Sequence, residues 1–310
     1  GRGVYILDDI RPIEELTEAE NKSIHLFPIR EGVLWNMYWR IENLGDRHYA
    51  AKNPEYGTYI NFSLDKDAKE PIKIKIKDLN GKHITTLIHN KAKKGINRIV
   101  WDLGYDGAID IKKKSDENIE NKEGLSYDGI RPKVVPGVYL AEINHLGQVL
   151  TSEISVIGDI RINMPVSEYK SRLNALLELR NILSETHELI DQFNSIIDQL
   201  SKFSIKLDSN SENIKQIIDT HNTLLAYKDE HLMRPPPSMG YRQKPRLREE
   251  IKSLMRAIDN TTNPPTIPQL ERIESLKVEL DNHQMEMKSF EENVDQINNS
   301  NATLPQIIIG

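Results

Sequence analysis

The sequence contains no cysteine. That excludes a disulfide framework, a thiolate zinc site and a cysteine nucleophile. No run of apolar residues approaches the length needed to span a bilayer, so no membrane-spanning helix is expected. Positive charge is not in excess: 41 Lys and Arg stand against 47 Asp and Glu, a formal net charge of -6. That balance argues against a general nucleic-acid binder. The signature loops of nucleotide binding, serine hydrolysis, HExxH metalloproteases and EF-hands are all missing.

What is present divides the 310 residues into a β-rich part and a helical part. The chain opens on Gly1 rather than Met and is expected to be the later part of a longer protein. Gly3 to Asp9 has strand composition and its pairing partners must lie elsewhere. Pro12 to Leu16 fits one helical turn. Residues 25–55 have no clear period and read as a connector that packs on its neighbours.

From Tyr56 the pattern turns to period 2. Ile72, Ile74 and Ile76 alternate with Lys73, Lys75 and Lys77, a half-buried strand with a solvated lysine face. Asn80-Gly81 predicts a two-residue type I′ hairpin turn into a strand over 83–88. Gly95 to Leu103 follows, with Trp101 as a core anchor, and strands over 138–144 and 149–157 pair across Leu146-Gly147. Six or more short strands without intervening helices predict a β-sandwich over 56–158. Residues 104–135 interrupt it. They are highly charged and carry few large apolar side chains, so a mobile surface insertion is expected.

Helical spacing begins after Pro165. Leu176, Leu179, Leu183, Ile190, Phe193, Ile197 and Leu200 form a seam along one long helix over 167–204. Helices over 211–227, 246–258 and 266–298 follow, the last opened by a capping box of Thr266 and Gln269. The expected fold is thus multidomain, β then α: a sandwich followed, over 159–310, by a four-helix antiparallel bundle.

Chemistry is hard to find in these residues. The nine His are scattered, and a lone His is most often exposed or hydrogen-bonded. Adjacent carboxylates such as Asp8-Asp9, Glu14-Glu15 and Glu291-Glu292 do not converge as an acid/base pair must; Asp8-Asp9 fits better as a cap on the following turn. No catalytic, cofactor-binding or metal-ligating residue is assigned, and no cofactor is expected. Trp35, Tyr38 and Trp39, near Tyr49, are the candidate contact residues, for a sugar ring or for a neighbouring domain, and packing at a domain junction is the simpler account.

Several segments taken in order resemble one family. Gly1-Arg2-Gly3-Val4-Tyr5-Ile6-Leu7-Asp8-Asp9 with Pro12-Ile13 is similar to the exit from the last blade of sortilin-type, BNR-repeat β-propeller proteins, often labelled glycosyl hydrolases. Asn53-Pro54-Glu55-Tyr56-Gly57 resembles the "NPxYG" step that follows. Next come Asp78 and Gly81, then Gly95-Ile96-Asn97 with Ile99 and Trp101-Asp102-Leu103, then Pro136-Gly137 with Tyr139. These resemble an Ig-like or FnIII-like domain such as that of flagellar hook-capping proteins. Pro264-Pro265-Thr266 and Leu304-Pro305 are similar to steps in the helical tail. The resemblance implies that residues 1–24 are the terminal strand and exit of a propeller that this chain lacks. It implies export to the periplasm, cell surface or exterior of a bacterium, the protein's own upstream propeller as partner, and a protein or carbohydrate ligand reached through it. The reading that follows is a non-catalytic structural or interaction region. The alternatives are part of an active glycoside hydrolase lending substrate contacts, or a stand-alone adhesion or assembly module.

Overall fold

The computed structural model describes residues 7, 9–37, 54–112, 127–128, 130–206, 212–235, 243–300 and 306–308. Most of the expected N-terminal strand, Tyr38, Trp39, Tyr49, the charged middle of the insertion and Leu304-Pro305 lie outside the described residues. Strands occupy the N-terminal part and helices the C-terminal part. The chain divides into two compact units, Gly1–Asp106 with Arg131–Leu173, and Gly107–Ile130 with Asn174–Gly310.

The first unit opens with two single-turn helices, α1 (Arg11–Glu14) and α2 (Leu16–Ala19). Its strands form two sheets. One has the order β1-β3-β6, from Ile24–Leu26, Thr58–Leu64 and Gly95–Trp101, all antiparallel. The other has the order β2-β10-β9-β4-β5, from Gly32–Leu34, Gln148–Gly158, Gly137–His145, Ile72–Asp78 and His83–His89. In this sheet β2 runs parallel to β10 and the remaining pairs are antiparallel. The buried residues of both sheets belong to one apolar cluster, in which Ile24, Ile60, Phe62, Ile74, Ile76, Trp101, Ala141, Ile143 and Ile154 are fully enclosed. The lysine alternation of β4 appears as expected: Ile72, Ile74 and Ile76 are buried, while Lys73 and Lys75 are exposed.

Two local features differ from the sequence reading. The start of the stretch 25–55, read as a connector without period, supplies one strand to each sheet, and Ile24, read as the end of the propeller exit, belongs to the first of them. Strands of three residues are too short to display a period of 2. The expected type I′ turn at Asn80-Gly81 is instead a longer loop. Only Gly81 has positive φ, at 82°; its N–H donates to the Asp78 carbonyl, and the Asp78 N–H donates to the Lys82 carbonyl. The Asp78 carboxylate accepts the N–H groups of Asn80 and Lys82 at 2.9 and 2.8 Å, so an aspartate side chain, rather than a second left-handed residue, organises the turn. The turn with positive φ at both central residues lies at Leu146-Gly147 (50° and 82°), between β9 and β10.

The second unit contains α3 (Val166–Lys206) from Asn174 onward, α4 (Glu212–Tyr227), a π-helical turn (Lys228–Leu232), α5 (Leu247–Asp259) and α6 (Ile267–Ser300). All seven residues of the seam read in α3 are buried. They join Ile217, Leu224, Ile251, Met255, Ile273, Leu276, Leu280, Met287 and Val294 in a single cluster. Ile218 of α4 and Leu270 of α6 are exposed. The capping box of α6 forms: the Thr266 N–H donates to Gln269 Oε1 at 2.9 Å, and the Gln269 N–H to Thr266 Oγ1 at 3.4 Å.

The ends of the interruption 104–135 are packed. Gly104 bridges Lys133, and β7 (Ala108–Ile109) pairs with β8 (Tyr127–Asp128). Ala108 is fully buried in the helical cluster, and Lys112 N–H donates to the Asp191 carboxylate. The Ile109 carbonyl accepts from His187 Nδ1 at 2.6 Å, and His187 Nε2 in turn accepts from Arg248 Nε at 3.1 Å. His187 is thereby held as the Nδ1–H tautomer with both ring nitrogens used. Charge alone hides such packing, because backbone groups, one alanine and the partly buried Ile111 and Ile130 supply the contacts.

Candidate functional site

Some residues of the resemblance motifs lie around Trp101, whose indole is fully buried. Its Nε1–H donates to the Gly104 carbonyl at 3.1 Å, and its ring lies edge-on to Tyr139 at 5.6 Å. The Tyr139 hydroxyl donates to the Val135 carbonyl at 2.8 Å, and burial pushes its pKa above the usual phenol range. Asp102 accepts from Lys133 at 3.1 Å and the Gly104 N–H at 3.1 Å, and pairs with Arg131 at 3.3 Å. Lys133 also lies over the Tyr56 ring. Gly57 has φ 123°, and a Cβ there would stand 2.0 Å from the Trp101 carbonyl oxygen. Leu103 takes φ 59° while fully buried, and a Cβ on Gly32 would meet its side chain at 2.7 Å. These groups hold strands in register. None of them leaves a proton acceptor facing a cleft.

Trp35 is half-exposed at 42% and follows β2 directly. The guanidinium of Arg161 sits 5.4 Å from its ring centroid. Arg161 is held in turn by Asp159, whose Oδ1 accepts Arg161 N–H at 3.0 Å and Nε at 2.8 Å, while Oδ2 accepts Nη2 at 2.5 Å. Oδ2 also accepts the Asn36 N–H at 3.0 Å, and Arg161 Nη2 reaches the Asn36 carbonyl. The bonded guanidinium holds the Asp159 carboxyl well below the usual carboxylate range, against the opposing pull of burial. A carboxylate so occupied is a clamp on the chain after β2 and not a proton shuttle.

The same clamp occurs at the N-terminus. Asp9 Oδ1 accepts Arg11 N–H at 3.2 Å and Nε at 2.7 Å, and Oδ2 accepts Nη2 at 2.7 Å. The Arg11 bond lowers the Asp9 pKa as well. Asp9-Ile10-Arg11 and Asp159-Ile160-Arg161 are the same tripeptide, each with its isoleucine exposed. Asp9 caps the turn, as the sequence suggested. Asp159 and Arg161 were not singled out in the sequence, although the repeated Asp-Ile-Arg was there to be read.

In the helical unit, Tyr227 closes α4 at the π-helical turn. Its hydroxyl lies 2.7 Å from His283 Nδ1, and its ring stacks on Phe193 at 5.6 Å. Burial raises the Tyr227 pKa to about 12; burial, followed by the charge of His231, lowers that of His283. A groove of about 560 Å³ opens nearby, lined by Lys215, Asp219, Thr223, Phe290 and Asn293 among others. It gathers no set of converging catalytic groups.

Among the described residues, one group of imidazole and carboxylate donors converges closely enough for a metal ion: Glu15, Glu18 and His25, with one ligand atom from each within 4.8 Å of the others. In the sequence Glu15 stands beside Glu14 as an adjacent pair, which hides its convergence with Glu18 and His25. The usable signal was Glu15 and Glu18 at helical i, i+3 spacing, with His25 on the next strand.

No protein-family model matches this chain, and no curated protein or solved structure does so either.

Proposed function

We propose that this chain is a non-catalytic structural and interaction region of an exported β-propeller protein of the sortilin-like, BNR-repeat type. In this reading the sheet unit is an Ig-like sandwich and the helical unit an antiparallel bundle, and together they support or orient the propeller. The carrying observation is that five of the residues behind the resemblance, Gly57, Trp101, Asp102, Leu103 and Tyr139, pack into one node instead of lining a cleft. The Tyr139 hydroxyl bond back to Val135 is the kind of corner that Ig-like sandwiches use. Support for a contact role comes from the exposed apolar side chains of Leu7, Ile10, Ile13 and Leu16, a stretch of surface with the character of an interface. Trp35 fits an interdomain contact better than a sugar platform, because Arg161 already occupies a ring face.

Two measurements test this. The gene sequence upstream of the Gly1 codon should encode Asp-box propeller repeats and an export signal; a different domain there overturns the assignment. The purified chain should turn over no member of a panel of chromogenic glycosides. Turnover abolished by a point substitution within residues 1–310 would make it an enzyme.

A further inference from the structure

The geometry points to a divalent transition-metal site, with Zn²⁺ as its ion, formed by Glu15, Glu18 and His25 and tying the N-terminal helical turns to strand β1. Glu15 stands between α1 and α2, Glu18 lies within α2, and the i, i+3 spacing puts both carboxylates on one side of the turn. His25 is the central residue of β1, where neighbouring Ile24 and Phe27 are fully buried and the strand is paired residue by residue with β3. One donor therefore comes from a fixed strand and two from a short, adjustable segment.

An independent observation concerns the imidazole. Its Nε2 is buried and has no hydrogen-bond partner, an arrangement that native structures rarely leave without a ligand, ion or water to complete it. The Lys22 ammonium lies 3.3 Å from Nδ1; Lys22 is an exposed side chain and must swing away for the ring proton to move to Nδ1 and free Nε2 as the ligand atom.

The donor set selects the ion. One imidazole nitrogen with two carboxylate oxygens suits Zn²⁺ and similar borderline ions, whereas Ca²⁺ and Mg²⁺ call for all-oxygen shells. Metal–ligand distances of about 2.0–2.2 Å place tetrahedral ligand atoms roughly 3.4 Å apart. Donors already within 4.8 Å of one another reach that spacing by side-chain rotation. Three protein ligands leave a fourth position for water. Bound ion would link Glu15 and Glu18 to β1 and stabilise the segment by mass action.

The test is titration of chelator-treated protein with ZnCl₂ by isothermal calorimetry, with thermal unfolding in parallel. The expected result is one saturable site and a melting temperature that rises with Zn²⁺. His25→Gln and the double substitution Glu15→Gln/Glu18→Gln should each weaken binding by more than about tenfold. The chain has eight other histidines that could bind zinc adventitiously, so the variants decide the matter. Affinity unchanged in either variant, or no saturable binding by the unsubstituted protein, overturns the site. Far-UV circular dichroism and metal-free melting of the variants separate a lost ligand from a lost fold; the glutamines keep side-chain size and should leave both unchanged.

Discussion

Trp101 in the sheet unit and Leu179 in the helical unit are both completely buried, yet they are held in different ways. Around Trp101 each neighbour has a particular backbone conformation or a particular hydrogen bond: Gly57 at φ 123°, Leu103 at φ 59°, the Gly104 carbonyl on the indole N–H, and Asp102 between two cations. Leu179 belongs to a cluster made largely of Leu, Ile, Met and Phe side chains from the helices, and their contribution is volume. A core defined by volume tolerates exchange of one apolar residue for another, whereas a core defined by local geometry does not. The sheet unit should therefore be the more sensitive to conservative substitution.

The sharpest way to break this comparison is Gly57→Ala. The added Cβ overlaps the Trp101 carbonyl, and the φ value strains any side chain. A loss of more than about 4 kcal/mol is expected, or failure of the sheet unit to fold, as read by denaturant unfolding. If Gly57→Ala is mild, β3 and β6 are not locked at this point.

Next come paired truncations. Trp101→Ala and Leu179→Ala should each cost about 3–5 kcal/mol, since both leave cavities. The distinction lies in the conservative pair: Leu179→Met should cost less than about 1.5 kcal/mol. Trp101→Phe should cost more than that, because it strands the Gly104 carbonyl as well as losing volume. Equal costs for the conservative pair would remove the contrast between the two cores.

Asp159→Asn tests the clamp after β2. The native carboxyl has a depressed pKa, so its contribution is fully present above the unfolded value near about 3.9 and is lost as pH falls through the native one. The difference in melting temperature between wild type and variant should accordingly be open at pH 7 and close progressively below about pH 4. A gap that stays constant with pH would show that the carboxylate is not what holds Arg161.

Tyr227→Phe removes the hydroxyl bonded to His283 and should cost about 1 kcal/mol, the scale of one hydrogen bond. Hydrogen exchange should place the loss in α4 and α6. The smallest expected effect is a gain. Leu146 is 86% exposed and sits at φ 50°, where a leucine has strain and no burial to offset it. Leu146→Asn should stabilise the β9–β10 hairpin by about 0.5–1 kcal/mol, visible in the melting temperature.

Much of the architecture was legible because it rests on periodicity. The alternation Ile72 to Lys77 and the seam Leu176 to Leu200 each repeat long enough to name their element and their buried face. Thr266 and Gln269 carried their own capping geometry, and Leu146-Gly147 marked its hairpin through spacing alone. Those features are local, and local chemistry is written in adjacent residues.

What only the tertiary structure decided is whatever depends on partners distant in sequence. Strands β1 and β2 have three residues each and exist because β3 and β10 offer them hydrogen bonds. Ala108 becomes core, and Asp191 an acceptor for the Lys112 backbone, because the stem of a charged insertion packs with the helical unit. Asp159 is a clamp because Asn36, more than a hundred residues earlier, presents its N–H there. His25 meets Glu15 and Glu18 because the chain turns back after α2. A sequence shows which groups can donate, accept or be buried; the free energy that selects among them comes from desolvation and pairing across the fold, and those terms are set when distant segments meet.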